Sequence, residues 1–177
     1  GHQSWTMAVN LSTLQFEQPS LVNTVLNCLA LHHVPPEMLI LEVTETTAMS
    51  NPDESVRVLT ELTEAGVKAS IDDFGTGYSS LLYLKRLPAC ELKIDRAFVK
   101  ELSGESEDAT IVSAIVALAK TLNLKVVAEG VETEAQQAFL TELGCNTLQG
   151  YLLGKPVSAQ TIEALCARGE MLPGAGL

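Results

Sequence analysis

Residues 67–80 read Val67-Lys68-Ala69-Ser70-Ile71-Asp72-Asp73-Phe74-Gly75-Thr76-Gly77-Tyr78-Ser79-Ser80. An apolar run that stops on two adjacent carboxylates predicts a buried strand with hard oxygen ligands at its end, the type that Mg²⁺ or Mn²⁺ prefers. The glycines that follow allow the backbone to turn sharply and to approach a ligand closely. An Asp-Asp pair alone is equally typical of a turn or a helix cap, so its meaning depends on the other strands.

The composition limits the classes of protein. The chain has 177 residues, of which 46% are hydrophobic, enough for one domain with a substantial core. Its net charge of −11 argues against a binding surface for duplex nucleic acid, which needs Lys and Arg against the phosphates. No apolar run reaches the roughly 18 residues that span a bilayer, and the N-terminus lacks a signal-peptide pattern. We expect a cytoplasmic domain with no membrane segment, although the parent protein can carry an anchor elsewhere.

The four cysteines are widely scattered and include no C-x-x-C pair: Cys28, Cys90, Cys145 and Cys166. This spacing argues against a zinc site and against a disulfide framework. We predict four buried, reduced thiols.

Short apolar runs alternate with helical patterns along the whole chain. The runs predict strands at 6–11, 39–44, 67–72, 91–94, 124–128 and 147–151. The patterns between them predict helices at 19–31, at 108–122, from 133 and at 158–167, and one that Asn51 caps with Pro52 at its first position. Glycines 66 and 144 stand where two of these helices should stop. Such alternation predicts a parallel sheet, either doubly wound or closed into a barrel.

Polar residues stand at or near the end of each predicted strand: Asn10, Glu42, Asp72 with Asp73, Lys93, Glu129 and Gln149. A barrel brings all strand ends to one mouth, whereas the chain has no dinucleotide fingerprint or phosphate loop to support a doubly wound sheet. Six units fall short of the eight in a barrel of about 250 residues. We therefore expect a single, incomplete domain, either cut from a longer chain or completed by another subunit.

The strand ends predict a metal-dependent phosphoryl-transfer site. One amide oxygen and four carboxylates suit two divalent cations bridged by a shared aspartate. Lys93 is predicted to orient a water or to neutralise phosphate charge, with snorkelling at the barrel rim as the alternative. Asp95, two residues further along the strand, is predicted to hold Lys93 in place. No Ser-His-Asp arrangement competes, because the three histidines lie outside the strand ends.

Six motifs, in order over essentially the whole chain, resemble the EAL domain family of bacterial phosphodiesterases, which hydrolyse cyclic di-GMP to linear pGpG. They are Asn10-Leu11-Ser12, Glu42-Val43-Thr44-Glu45, Asp72-Asp73-Phe74-Gly75-Thr76-Gly77-Tyr78-Ser79-Ser80-Leu81, Leu92-Lys93-Ile94-Asp95, Ala128-Glu129-Gly130-Val131-Glu132 and Gln149-Gly150-Tyr151.

The resemblance implies an α/β fold, a TIM-like (β/α)₈ barrel of the EAL type whose first strand is antiparallel. About six of its eight units would be present, with residues 1–177 as the C-terminal portion of one EAL domain. Two Mg²⁺ or Mn²⁺ ions would be held, one by Asn10, Glu42 and Asp72, the other by Asp72, Asp73 and Glu129. The implied catalytic residues are Lys93, Glu129 and Asp73, and the implied substrate contacts are Gln149, Asp95 and Tyr151.

The resemblance also implies a loop that couples metal binding to a homodimer, formed by Glu45, Phe74, Gly75, Gly77 and Tyr78. Tyr78 and Tyr151 are predicted either to stack on guanine or to pack at the barrel mouth. A GGDEF or sensory domain elsewhere in the parent protein is a further implication.

One departure from the family is the absence of the Glu-Ala-Leu tripeptide, whose glutamate is a metal ligand in active members. We interpret this as truncation and expect the 177-residue chain alone to be poorly active. Two other functions stay open: a cyclic di-GMP receptor without catalysis, and an interaction domain that assembles through the missing wall.

Overall fold

A computed structural model describes residues 5–77, 81–102 and 106–168 of the chain. Its strands are β1 (Met7–Asn10), β2 (Leu39–Thr44), β3 (Lys68–Phe74), β4 (Glu91–Ile94), β5 (Lys125–Ala128) and β6 (Thr147–Leu148). The described helices are α1 (Thr13–Phe16), α2 (Leu21–Leu31), α3 (Glu45–Ser50), α4 (Pro52–Glu64), α5 (Leu81–Leu84), α6 (Arg96–Lys100), α7 (Glu107–Thr121), α8 (Glu134–Leu143) and α9 (Ala159–Arg168), with one 3₁₀ turn at Pro36–Met38. None of these helices is long and apolar enough to cross a membrane.

The six strands form one parallel sheet in the order β1-β2-β3-β4-β5-β6. A strand order that follows the chain is that of a barrel wall, whereas a doubly wound sheet reverses direction at a switch point. The sheet is curled and open, and β1 does not pair with β6 in the described part of the chain. The predicted α/β fold with six units of a TIM-like barrel is therefore confirmed.

Alternation along each strand separates the core from the site. Leu92 and Ile94 of β4 are fully buried in the apolar core, and Lys93 between them points to the opposite face. The crossover helices cover the apolar face, and α4 and α7 contribute its largest blocks: Val58, Leu59, Leu62, Val112, Ile115 and Val116. Each fully buried aliphatic side chain contributes about 1.5–3 kcal/mol relative to exposure. This packing orients the polar face of every strand.

Most predicted bounds agree with the structure, and the differences have local causes. The segments 39–44 and 91–94 are β2 and β4 as predicted. β3 continues to Phe74 because the strand bulges between Ile71 and Phe74, with Asp73 in the left-handed region at φ 53°. β6 ends at Leu148 instead of 151. The helices α1, α3, α5 and α6 were not predicted, because four to six residues are too few to show a period.

Helix ends follow the predicted signals in three of four cases. Gly66 and Gly144 have φ of 98° and 92° where α4 and α8 stop, and Pro52 occupies the first turn of α4. Asn51 differs from expectation, because its side chain makes no capping hydrogen bond. Proline at the first position removes one amide that would otherwise need a partner.

The prediction that all four cysteines are buried is wrong. All four are free thiols, but Cys28 and Cys90 are exposed and the other two are half-buried. Cys28 lies on a surface groove between α2 and β1, and Cys90 lies in the loop before β4. Burial raises the pKa of the Cys145 thiol to about 11, consistent with its packing against the core.

Gly150 provides a test of the fold at the end of β6. A β-carbon at this position would overlap the backbone nitrogen and carbonyl oxygen of Val131. We expect Gly150→Ala to lower the free energy of unfolding by about 2–4 kcal/mol, because a backbone cannot move aside as a side chain does. Urea unfolding followed by circular dichroism measures the loss.

Gly66→Ala is the matched control for Gly150→Ala. Its φ is positive, but an added β-carbon would lie 3.3 Å from the Pro36 side chain and 4.0 Å from the Glu37 backbone nitrogen, with no overlap of backbone atoms. We expect a loss of about 1–2 kcal/mol from backbone strain alone. A loss at Gly150 no larger than that at Gly66 would show that Gly150 does not need to be glycine for steric reasons.

Candidate metal centre and active site

The predicted site residues converge at the carboxyl edge of the sheet. Asn10 lies opposite Glu42 at the ends of β1 and β2, and Asp72 lies opposite Thr44. Glu129 follows β5, where its backbone nitrogen donates to the Ile94 carbonyl at 3.1 Å. Parallel strands end at a common edge, so residues distant in sequence become neighbours.

Lys93 is the centre of this cluster. Its ammonium nitrogen lies 2.7 Å from Glu42 Oε1, 3.2 Å from Asp72 Oδ1 and 2.6 Å from Glu129 Oε1. The residue is only 4% exposed, so the snorkelling alternative is wrong. Four neighbouring strands, or the turns that directly follow them, contribute one charged group each to a single buried ion-pair cluster.

The charges in this cluster are not balanced, since three carboxylates share one ammonium. Burial alone would lower the pKa of Lys93, but hydrogen bonds to Glu129 and Glu42 outweigh it and raise that pKa above its usual range. Burial raises the pKa of Glu129, and Lys93 only partly opposes this effect. The ammonium is therefore strongly held as a cation, whereas each carboxylate has only a share of it.

Asp72, Asp73 and Glu129 can hold a divalent ion. Each offers one carboxylate oxygen, and these oxygens lie within 4.8 Å of one another. Burial, followed by the nearby charges of Asp72 and Asp95, raises the pKa of Asp73. A divalent cation relieves this crowding of negative charge, and carboxylate oxygens are its preferred ligands. The donor set therefore fits a hard metal ion.

Glu42 and Asn10 border this group on the β1–β2 side. Glu42 is buried and engaged with Lys93, whereas Asn10 is exposed at the end of the edge strand. The structure thus brings Glu42, Asp72, Asp73, Lys93 and Glu129 together, with Asn10 beside them.

The prediction that Asp95 holds Lys93 in place is wrong. The ion pairs of Lys93 do not include Asp95. Because β4 ends at Ile94, Asp95 is already the N-cap of α6, where its Oδ1 accepts from the Ala97 amide at 2.8 Å. The negative charge of Asp95 lies close enough to Asp73 to contribute to the raised pKa of that carboxyl.

Glu45 connects α3 to the loop after β3. It is 2% exposed, and its Oε2 accepts from the Gly75 amide at 2.8 Å. Its Oε1 has no hydrogen-bond partner among the described residues, and a β-carbon on Gly77 would lie 2.8 Å from it. The Thr44 side chain caps α3 and so places Glu45 at the first position of that helix. Phe74 is buried, and Tyr78 lies outside the described residues.

The β6 end contributes exposed groups rather than buried ones. Gln149 is exposed, and its backbone bonds to Ala128 and Val131 on either side of Glu129. Tyr151 is 61% exposed, and the Lys155 ammonium lies 5.6 Å from the centroid of its ring. The sequence analysis did not select Lys155, because a lysine in a loop carries no signal until its neighbours are known.

A curled parallel sheet with a buried lysine among carboxylates at its carboxyl edge defines a (β/α)-barrel domain whose strand ends could hold a divalent metal ion. The sequence model of the EAL domain matches residues 2–156. The chain therefore belongs to the EAL domain family.

Named relatives agree with this assignment. The chain is 64% identical over 167 residues to the bifunctional diguanylate cyclase/cyclic di-GMP phosphodiesterase MucR of Pseudomonas aeruginosa, covering 94% of this chain and 24% of MucR. It is 36% identical over 165 residues to the cyclic di-GMP phosphodiesterase RocR of the same species, covering 93% of this chain and 42% of RocR. The chain thus spans less than half the length of either relative.

Solved structures show the same fold. A structure described as the PaMucR phosphodiesterase in complex with c-di-GMP matches at a TM-score of 0.89 and 65% identity, over 92% of this chain and 66% of that one. The EAL domain of Mycobacterium smegmatis DcpA matches at 0.88 and 39% identity, over 96% of this chain and 76% of the other.

The ion-pair cluster leads to a stability prediction for Lys93→Met. Removing the ammonium leaves buried carboxylates unpaired, so we expect a loss of about 3–5 kcal/mol in unfolding free energy without metal. Saturating Mn²⁺ should restore more stability to this variant than to the wild type, because the ion replaces the lost charge. Calorimetry with and without Mn²⁺ measures both effects.

Lys100→Met is the control for that experiment. Lys100 is exposed on α6 and forms no ion pair with any described residue, so its loss should leave stability within about 0.5 kcal/mol. Equal effects of the two substitutions would contradict a structural role for the Lys93 cluster.

The hydrogen bond between Glu45 and the Gly75 amide leads to a prediction about the loop after β3, which should open more often when this bond is removed. In Glu45→Ala the Gly75 amide loses its acceptor, and we expect its hydrogen exchange to speed up about tenfold, as for a hydrogen bond to a charged group. Glu45→Gln keeps an oxygen acceptor, so its exchange rate at Gly75 should lie between those of the wild type and Glu45→Ala. NMR-detected exchange measures the rates, with Glu142→Ala on exposed α8 surface as control. Unchanged exchange at Gly75 would show that Glu45 does not hold this loop.

Proposed function

We propose that this chain is the catalytic part of a metal-dependent phosphodiesterase that hydrolyses cyclic di-GMP to linear pGpG. The observation that carries the proposal is the convergence of Asp72, Asp73 and Glu129 within 4.8 Å beside the buried Lys93. The names of MucR, RocR and the c-di-GMP complex supply the substrate. Hydrolysis adds one water across one phosphodiester bond and opens the ring.

Two divalent ions, Mg²⁺ or Mn²⁺, are part of the proposal. Asn10, Glu42 and Asp72 would hold one, and Asp72, Asp73 and Glu129 the other. When bound, such ions activate water and neutralise charge on the transferred phosphoryl group. The excess of carboxylates over cations around Lys93 supports this loading.

Lys93 is proposed to position the attacking water and to stabilise negative charge as it develops on phosphate. It is held as an ammonium by Glu42, Asp72 and Glu129, so it donates hydrogen bonds and does not accept a proton. Its fixed position also means that no reorganisation is needed during the reaction. Glu129 and Asp73 are the other proposed catalytic residues.

The rim of the site is proposed to bind the rest of the substrate. Gln149 and Tyr151 follow β6 at the same edge of the sheet, and Asp95 lies beside Asp73. The Glu45–Gly75 contact supports a role for the loop after Asp73 in coupling the centre to a homodimer. A cytoplasmic location and a GGDEF or sensory domain in the parent protein complete the proposal.

A cyclic di-GMP receptor without catalysis is the second candidate. Loss of the Glu-Ala-Leu glutamate from the full-length protein would favour this candidate. Because that glutamate does not occur in these 177 residues, we expect them alone to turn over cyclic di-GMP more slowly than the full-length protein.

The activity test uses the full-length protein with cyclic di-GMP and Mg²⁺ or Mn²⁺. Asp72→Asn and Glu129→Gln should each lower kcat about 100-fold or more, because each removes a negative ligand next to the reacting phosphate. Product is quantified as pGpG by chromatography, and Mn²⁺ affinity is measured separately by electron paramagnetic resonance.

Glu132→Gln is the matched control, since Glu132 is exposed and close in sequence to Glu129 but outside the cluster. Its kcat should stay within about twofold of the wild type, the range typical of surface changes. Tight binding of cyclic di-GMP by the wild type without any turnover would contradict the proposed phosphodiesterase activity and favour the receptor function.

A further inference from the structure

An aromatic–cation pair stands at the exit of β6. The Tyr151 ring is 61% exposed, and the Lys155 ammonium lies over it at 5.6 Å from the ring centroid. An exposed aromatic ring is a platform on which a flat base can stack, and a neighbouring cation adds a directed donor at its border. The pair therefore has the two components of a nucleobase contact.

Backbone hydrogen bonds attach this pair to the carboxylate site. The Val131 amide donates to the Gln149 carbonyl at 3.0 Å, and the Leu152 amide donates to the Val131 carbonyl at 3.0 Å. Gly150 between them packs against the Val131 backbone. Because Val131 is two residues from Glu129, the segment that carries Tyr151 lies directly beside the proposed reaction centre.

The Lys155 ammonium has no acidic partner among the described residues, whereas the Lys93 ammonium is held by carboxylates at the proposed reaction centre. Lys93 is surrounded by three carboxylates, while Lys155 forms no ion pair within the part of the chain that the structure describes. Most charged side chains of the site are carboxylates, so the Lys155 ammonium at the rim differs from them in its charge. Because the Lys155 ammonium contacts an aromatic ring and not a carboxylate, its N–H groups can donate to the acceptor atoms of a base.

We propose that Tyr151 and Lys155 together form the element that recognises guanine. The base takes the place of the ammonium on the Tyr151 ring face, and Lys155 then donates hydrogen bonds to the O6 and N7 acceptors of the base from the border of the ring. Lysine is a geometric match to that edge, whereas adenine presents an amino donor at the O6 position. The inference rests on the proposed function and adds a specificity determinant to it.

The test measures binding by the full-length protein in Ca²⁺, chosen to slow turnover, by titration calorimetry. Lys155→Met should weaken cyclic di-GMP binding about tenfold. Lys155→Gln should recover part of the loss, because its amide still donates to O6 or N7 without the charge. Tyr151→Ala should weaken binding by a similar factor, and Tyr151→Phe should bind nearly as well as the wild type, because a phenyl ring still stacks.

Lys125→Met is the matched control, since Lys125 is exposed at the opposite, amino end of β5 and should leave affinity within twofold. Competition by cyclic di-AMP gives the second arm: Lys155→Met should lower the preference for guanine over adenine. Equal losses for both dinucleotides would overturn the proposal and assign Lys155 to phosphate. If cyclic di-AMP binds too weakly to measure, Lys155→Gln provides the test instead. Cyclic di-GMP binding by Lys155→Gln that is as weak as that of Lys155→Met would likewise overturn the proposal.

The outcomes separate this inference from the proposed function. Wild-type protein that neither binds nor hydrolyses cyclic di-GMP would refute the proposed function. Wild-type binding that Lys155→Met leaves unchanged would refute the guanine assignment alone.

Discussion

The structure depends on one buried ammonium. Lys93 stands between two fully buried core residues, yet its ammonium reaches Glu42, Asp72 and Glu129 on the other face of the sheet. Desolvating this charge would cost several kcal/mol without partners, so Lys93 and its carboxylates require one another. Their positions depend in turn on the parallel register of β2 to β5. Fold and site are therefore coupled by the same side chain.

The excess of acid around Lys93 explains why the same residues can serve structure and chemistry. One ammonium cannot balance three carboxylates, two of them buried and the third half-buried, and Asp73 adds a fourth nearby. A protein that only needed stability would be better served by apolar packing at these positions. The cost fits the proposed role of the site, because a divalent cation bound there would return the free energy lost in crowding the carboxylates.

Two segments that follow strands at this edge of the sheet differ in how they are held and in how exposed they are. The segment after β3 is held by Glu45, whose carboxylate reaches Gly75 from α3. The segment after β6 is held by backbone bonds to Val131 and leaves Tyr151 and Lys155 exposed. A rigid sheet edge thus carries one buried group of charges and one accessible rim. This arrangement fits the proposed binding of a large nucleotide beside a small reaction centre.

The parallel α/β architecture could be predicted from the amino-acid sequence, because six apolar runs alternate with helical patterns. The polar strand ends that form the cluster could be predicted in the same way. The sequence did not show which charged side chains pair with one another. Asp95 follows Lys93 at the two-residue spacing of a strand, but β4 ends one residue earlier and Asp95 caps a helix. Lys155 has no pattern at all in the sequence. Local periodicity is encoded in neighbouring residues. The pairing of charges depends on where each strand ends and on how the loops return to the sheet, and both are properties of the folded chain.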